Sequence, residues 1–344
     1  MICGEQRMTV DTVRVEVPAR LHLGFLDMEG GLGRRFGSLG LTLDGLGTDL
    51  LLIRGQPGSD APVRPDCRAT GYLDRLCDAL GLENRFSLRL GRTIPSHSGL
   101  GSGTQLALAV GAALSAMAGR PLPPRRVASL LDRGARSGIG VGAFEQGGVI
   151  LDGGKGALDE PPPVISRMAL PEAWRMLLVF DDANRGLSGT AETVAFRDLP
   201  PFPADKAAYL CRLALMVGLP ALAEGDAIRF GAAVTELQSV VGDHFAPAQG
   251  GRFSSPDVAE VLRWMPLAGA AGVGQSSWGP TGFAIFGDAG LAERAAEGAQ
   301  ARWRTRPNLR FIVCRGRNHG AVVETFSGQN AVAAGYEKVA KKTA

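Results

Sequence analysis

The chain reads as an α+β protein of two packed domains. Three observations carry that reading. Its 344 residues exceed what a single hydrophobic core organises well. A Glu160-Pro161-Pro162-Pro163 break falls near the middle. Beyond the break, if extra helices are set aside, the patterns run β-α-β-β-α-β, the order of a split βαβ, ferredoxin-like layer. The expected domains are residues 8–160 and 161–330.

Each element has a local reason. Residues 13–17 alternate apolar and charged side chains, as a half-buried strand does, and 39–43 and 49–54 are further short strands. Tyr72, Leu73, Leu76, Cys77 and Leu80 share one helical face, which predicts a helix over Cys67–Leu80. Phe86, Leu88 and Leu90 alternate as a strand. The alanine-rich run 106–118 reads as a buried helix, and 125–133 as another, started by Pro123-Pro124. A short buried strand at 147–151 ends in Asp152-Gly153-Gly154. In the second half, strands are expected at 175–180, 270–274, 283–286 and 309–314. Helices are expected at 206–222, 226–241, Pro256–Trp264 and 291–302.

Composition narrows the class. Hydrophobic residues make up 45% and charged residues 21%, enough to bury cores and too balanced for global disorder. Net charge is +3, and most cations are arginine; the lysines are Lys155, Lys206, Lys338, Lys341 and Lys342. No basic run interleaves with aromatics, so nucleic acid is not an expected partner. Arginine suits small carboxylate or phosphate ligands. Cys3, Cys67, Cys77, Cys211 and Cys314 form no C-x-x-C pair and are odd in number, as expected of reduced thiols in a cytoplasmic protein without a zinc site. Residues 1–7 lack the apolar core of a signal peptide, and 106–118 is too short to span a bilayer, so no membrane is expected.

Glycine, at 48 residues, is roughly twice its usual share and is clustered. One cluster lies between a predicted strand and helix: Pro95-Ser96-His97-Ser98-Gly99-Leu100-Gly101-Ser102-Gly103-Thr104. Glycines there let backbone N–H groups converge on an anion at a helix start, with Ser98, Ser102 and Thr104 as further donors. It lacks the lysine of a Walker loop and the spacing of a Rossmann fingerprint. A second cluster, Arg136-Ser137-Gly138-Ile139-Gly140-Val141-Gly142-Ala143-Phe144-Glu145-Gln146-Gly147-Gly148, is either a ligand-wrapping loop or a β-bulge region. A third, Gly272 through Ser277-Trp278-Gly279-Pro280-Thr281-Gly282, is too long for a simple hairpin and reads as a second substrate loop. Near the start, Arg20 and His22 would share a strand face, with Asp27 able to help hold a metal. His22 alone reads as a structural histidine. His97 stands out because it lies inside the anion loop.

In this order the segments resemble the GHMP kinase superfamily. Val17-Pro18-Ala19-Arg20-Leu21-His22-Leu23-Gly24 resembles its first motif. Pro95 to Gly103 resembles Pro-x-x-x-Gly-Leu-Gly-Ser-Ser, with Gly103 in place of the second serine, and residues 272–282 resemble its late glycine loop. The resemblance implies a left-handed βαβ N-terminal domain packed on a ferredoxin-like C-terminal domain. Within the superfamily, Arg20-x-His22-x-Gly24, Arg136-Ser137-Gly138-Ile139-Gly140 and Phe144-Glu145-x-Gly147-Gly148 with Asp152-Gly153-Gly154 resemble the β-ribofuranosylaminobenzene 5′-phosphate synthase family. Many of the kinases carry an aspartate just after a Ser-Gly pair. Here no acid follows Ser137-Gly138 until Glu145, which speaks against phosphoryl transfer.

This resemblance implies a reaction. 5-Phosphoribosyl diphosphate and 4-aminobenzoate or 4-hydroxybenzoate give a C-riboside 5′-phosphate, CO₂ and diphosphate, in methanopterin-type cofactor synthesis. It assigns the phosphates to Ser98, Gly99, Leu100, Gly101, Ser102, Gly103 and Thr104. Arg20, His22, Arg136 and Glu145 are the expected catalytic residues. His97, Ser137, Gly138, Ser277, Trp278, Gly279 and Gly282 are the expected substrate-loop residues. Mg²⁺ is expected on Asp27, Glu145 or Asp152, and a homodimer is the expected assembly. The competing readings are an ATP-dependent small-molecule kinase and a metabolite-binding relative without turnover.

Overall fold

The computed structural model describes residues 10–55, 67–187, 189–328 and 331–340. Residues 1–7 with Cys3, the first two residues of the expected N-terminal domain, and Lys341 and Lys342 lie outside the described residues.

Two long antiparallel strands, β1 (Thr12–Asp27) and β2 (Phe36–Arg54), form the spine. Helix α1 (Cys67–Leu80), strand β3 (Phe86–Leu90), helices α2 (Ser102–Ala118), α3 (Pro124–Leu130) and α4 (Ile139–Glu145), and strands β4 (Val149–Asp152) and β5 (Val164–Met168) follow. The second half holds β6 (Arg175–Asp181), α5 (Thr190–Asp198), α6 (Ala204–Leu213), a π-helical turn at Ala214–Gly218, α7 (Leu219–Glu224) and α8 (Ala227–Gln249). Helix α9 (Pro256–Trp264), strands β7 (Gly272–Gln275) and β8 (Gly282–Phe286), α10 (Ala289–Arg302), β9 (Leu309–Arg315), β10 (Val322–Phe326) and α11 (Ala331–Ala340) complete it.

The strands make two sheets. One is six-stranded, ordered β10-β1-β2-β4-β5, with β3 also paired to β2; the other is four-stranded, β7-β8-β6-β9, all antiparallel pairs. The second order is that of a ferredoxin-like layer, as the β-α-β-β-α-β pattern predicts. Strand β1 serves two cores. Val13, Val15 and Val17 pack with α1 and α2, whereas Leu21, Leu23 and Phe25 pack with β6, β8 and α8. A break in β1–β2 register between Pro18 and Arg20 separates the two stretches. A third core lies between the small sheet and helices α9 and α10.

Two expectations need correction. The sheet does not change at residue 160: β5 pairs with β4 beyond the proline run, and β10 returns from the far end of the chain to pair with β1. Backbone pairing therefore outweighs the Pro-rich punctuation, and the chain changes sheet between β5 and β6. Residues 139–145 form neither a loop nor a bulge but helix α4. Its glycines serve close packing: a Cβ at Gly140 would meet Thr104 at 2.8 Å, and one at Gly142 would meet Val164 at 2.9 Å. A further helical stretch, 204–224, is long and apolar on average although Asp205, Lys206 and Arg212 interrupt it. Among the described residues it is the one helical stretch long and apolar enough to cross a membrane; in this fold it packs against β1 and α8.

Candidate active site

The loop from Pro95 to Gly101 is clamped from three sides. The Arg20 guanidinium and the Ser276 hydroxyl, the latter at 2.7 Å, both donate to the Gly99 carbonyl. The Arg20 N–H donates to Leu100 O at 3.2 Å, and the Gly186 N–H to His97 O at 3.3 Å. A side chain at Gly99 would collide with Ser276 O, and Gly99 has a φ of +78°. Gly101, at φ +84°, starts α2 with no side-chain cap. The first-turn N–H groups of α2 are thus left for a ligand, and they carry the positive end of the helix dipole.

These groups open into a cavity of about 350 Å³. His97, Gly99, Gly101, Ser102, Gly103 and Thr104 line one wall, and Arg20, Arg68, Tyr72, Arg133 and Glu192 line the others. Ser277, Trp278 and Gly279 close it from the second half of the chain. Tyr72 is 5% exposed, and its hydroxyl has no hydrogen-bond partner among the described residues. The Arg133 guanidinium lies 5.3 Å from the Tyr72 ring centroid and makes no ion pair among the described residues. The missing side chain at Gly103 leaves this corner open to both groups.

A second cavity, of about 800 Å³, adjoins the first through Arg133, Gly189 and Glu192. Its lining is basic on balance, with Arg34, Arg35, Arg133, Arg136 and Lys155 against Glu29, Asp132 and Glu192, and Lys155 also pairs with the exposed Asp159 at 3.2 Å. Arg34 is oriented by the carbonyls of Gly153 and Gly154, both at 2.6 Å. Arg136 pairs with Glu192 at 3.3 Å, donates to Thr193 Oγ1 at 3.0 Å and lies 4.8 Å from the Phe196 ring centroid.

Glu192 stands where the cavities meet. Burial pushes its carboxyl pKa up from the ordinary value; the charges of Arg136 and Arg20 pull the other way. The Trp278 indole N–H also favours its carboxylate form, from outside strict hydrogen-bond geometry. Burial drops Arg20 to about 10, against the nearby charge of Glu192. Arg20 therefore remains a cation at neutral pH.

Of the residues expected from sequence, Arg20, His97, Gly99, Gly101, Ser102, Gly103, Thr104, Ser277, Trp278 and Gly279 line the loop cavity, and Arg136 lines its neighbour. Several others do not. Ser98 donates its hydroxyl to Pro95 O at 2.8 Å, and the Leu100 side chain is buried in the core. His22 is 3% exposed, in edge contact with Phe25, and lines a separate small cavity beside Gln238 and Phe245. Burial first, and the Arg20 charge second, push its pKa down to about 3, so it is a neutral packing residue rather than a base at the cleft. Its main chain does help the site: its N–H donates to Ser276 Oγ at 3.0 Å and its carbonyl accepts from the Ser277 N–H at 3.3 Å. Glu145 is exposed at the far end of α4, lining neither cavity. Gly282 packs against Val258 and Leu262.

The expected Mg²⁺ ligands do not converge. The Asp152 carboxylate accepts from the N–H groups of Ser38, Gly138 and Gly154 and from Ser137 Oγ, all within 3.2 Å. Ser137 and Gly138 are thereby tied to Asp152, which is buried, holds the residues that lead into α4 and lines neither cavity. Asp27 accepts from the N–H groups of Glu29 and Gly30 in a turn. Among the described residues no group of three His, Cys, Asp or Glu side chains is placed to hold a metal. Tyr72, Arg133 and Glu192 are among the lining residues that sequence reasoning missed, with Arg68 and Lys155. Tyr72 was absorbed into an apolar helix face, Arg133 lies just past a helix end, and Glu192 sits in a stretch without any motif. The repeated arginine of Arg133-Gly134-Ala135-Arg136 was the available signal.

Comparison with known proteins identifies the family and the fold. The family model for the GHMP kinases N terminal domain matches residues 68–148, and that for the GHMP kinases C terminal matches residues 219–305. A β-ribofuranosylphenol 5′-phosphate synthase of Methanothermobacter thermautotrophicus is 32% identical over 331 residues, covering 89% of this chain and 97% of that protein. The synthase of the same name from Archaeoglobus fulgidus is 30% identical, covering 91% of this chain and 99% of its own. Among solved structures, a mevalonate diphosphate decarboxylase from Enterococcus faecalis superposes with a TM-score of 0.62 at 15% identity, over 93% of this chain and 100% of that one. A putative homoserine kinase from Listeria monocytogenes gives 0.61 at 17%, over 91% and 99%. At such identities the two structures speak for the fold, whereas the sequence matches speak for the branch. The chain belongs to the β-ribofuranosylphenol 5′-phosphate synthase family, built on the GHMP kinase fold.

Proposed function

We propose that the protein is a decarboxylating phosphoribosyltransferase joining 5-phosphoribosyl diphosphate to 4-hydroxybenzoate, with release of CO₂ and diphosphate. The observation that carries this reading is Glu192: a half-buried carboxylate flanked by Arg20 and Arg136, on the wall shared by two anion-attracting compartments. The relatives' printed name, with its phenol product, favours the hydroxy acid over 4-aminobenzoate.

The chemistry balances without an added proton. The bond from ribose C1 to the diphosphate oxygen breaks and C1 gains oxocarbenium character. The ring carbon bearing the carboxylate attacks C1. The C–CO₂ bond then breaks, and its electron pair restores the aromatic ring. Arg20, Arg133 and the first-turn N–H groups of α2 match the charge that grows on the departing diphosphate. Ionised Glu192 matches the positive charge that grows on the sugar. A guanidinium on the benzoate carboxylate would oppose this step, because it stabilises a charge that must leave as neutral CO₂. The arginines therefore serve the phosphates. Mg²⁺ is proposed to arrive as a companion of the diphosphate, part of the substrate rather than of a resident site. A cytoplasmic homodimer acting in methanopterin-type cofactor synthesis completes the reading, supported by the family resemblance.

The kinase alternative has less support. It needs an acid beside an attacking hydroxyl, and α4 offers glycines packed against Thr104 and Val164 at the positions in question. The test uses Mg²⁺, 5-phosphoribosyl diphosphate and carboxyl-labelled 4-hydroxybenzoate, with 4-aminobenzoate in parallel. Labelled CO₂ and diphosphate should appear in equal amounts. No labelled CO₂ from either acid would sink the proposal, and ADP formation from ATP with an added alcohol would favour the kinase.

A further inference from the structure

We infer that the two cavities are separate phosphate subsites of one substrate, and that Tyr72 and Arg133 select the diphosphate end. This deepens the reading above and rests on it. 5-Phosphoribosyl diphosphate carries charge at both ends of a ribose, a diphosphate on C1 and a monophosphate on C5. A ligand of that kind suits two basic compartments that touch.

The loop compartment takes the diphosphate. It has donors of several kinds converging on a small space: the α2 first-turn N–H groups, the hydroxyls of Ser102 and Thr104, and the guanidinium of Arg20. One observation independent of the helix start also points to a ligand. Tyr72 is buried, lines this cavity, and has a hydroxyl without a partner among the described residues. A buried hydroxyl is costly to leave unpaired. Glycine at residue 103 keeps the corner it shares with Arg133 roomy: a Cβ there would stand in ordinary contact, 3.9 Å from the Tyr72 hydroxyl and 3.7 Å from Arg133 Nη1. A diphosphate has more oxygens than a monophosphate to fill such a corner.

The wider compartment takes the 5-phosphate. Arg34 and Lys155 stand there on the segments before β2 and after β4, which are themselves paired by the Arg35 and Lys155 backbones. With the phosphates so placed, the ribose falls at the shared wall, where Glu192 lies. The 5-phosphate does not change charge in the reaction, so a more open set of cations serves it. The remaining volume admits the aromatic acid.

The test is binding, by isothermal titration calorimetry, of inorganic diphosphate and of ribose 5-phosphate to the full-length protein. In the wild type, saturating diphosphate should leave ribose 5-phosphate able to bind. Tyr72→Phe should weaken diphosphate roughly tenfold, the usual effect of losing a hydrogen bond to a charged group, and leave ribose 5-phosphate within about twofold. Retained ribose 5-phosphate binding also shows that the variant is folded. The double change Arg34→Gln with Lys155→Gln should do the reverse, by about tenfold or more. Mutual exclusion of the two ligands, variants that weaken both alike or neither, or the opposite pairing of variant and ligand would each overturn the inference. A wild-type protein that binds both ligands but releases no CO₂ would leave the subsites standing and remove the reaction.

Discussion

Glu192 is where a single side chain decides most. It lies on α5 between two guanidinium groups, and burial raises its pKa above that of an ordinary glutamate. A raised carboxyl pKa means that the charged form is lost at a higher pH than usual as acid is added. If the carboxylate balances positive charge on the ribose, kcat/KM should fall on the acid side through that raised pKa. Glu192→Gln keeps the shape and removes the charge. It should lower kcat/KM by about a hundredfold or more, the scale of losing one preorganised electrostatic group. It should also remove that acid limb from the pH profile. A variant with wild-type kcat/KM at neutral pH would exclude the role. At this scale the sequence was partly legible. Arg20, Arg136 and the loop glycines announced themselves through motifs. His22 and Glu145 sit in the same motifs yet miss the cleft, because motif spacing says nothing about which face of a kinked strand or which end of a short helix meets the ligand. Glu192 and Tyr72 enter the site only through tertiary packing.

The elements around the site are joined by backbone rather than by side-chain bulk. The Pro95–Gly101 loop belongs to the first half of the chain, and Ser276 to the second, yet their contact at Gly99 is too close for a Cβ. Gly99→Ala would combine that collision with a strained positive φ of 78°. It should cost about 1–3 kcal/mol of stability. It should also weaken diphosphate binding, because the α2 start moves with the loop. Chemical denaturation and calorimetry check both; full stability with full affinity would show that the clamp is dispensable. Legibility here followed periodicity. Helix α1 and the strands of the small sheet were readable from recurring apolar positions, and the buried helix α2 from an unbroken run of small apolar residues. Helix α4 was not, since its glycines suggest a loop and only the packing of Gly140 and Gly142 against Thr104 and Val164 shows why a helix tolerates them.

At the scale of the molecule, the chain's return is the decisive feature. After β9, Arg317 goes back to the first sheet: its N–H donates to Thr42 O at 3.0 Å and its carbonyl accepts from Gly148 at 2.7 Å. Its guanidinium donates to Glu16 at 3.0 Å, both side chains being buried. Arg14 joins the same network, pairing with Glu16, Asp49 and Glu324. Strand β10 then completes the first sheet beside β1. None of this is local in sequence, and so the proline run looked like a clean division. The physical consequence is that the two sheets do not make independent folding units: β1 supplies both the core with α2 and the core with β6 and β8. Calorimetry should therefore show one unfolding transition, with equal calorimetric and van't Hoff enthalpies. Arg317→Met takes one of two buried arginine partners from Glu16, which keeps Arg14, and should cost about 1–3 kcal/mol. For a chain of 344 residues that corresponds to a fall in Tm of about 1–4 °C. The whole transition should move, because the return segment holds both halves; a split into two transitions, with only the first-sheet half shifted, would show that they unfold separately.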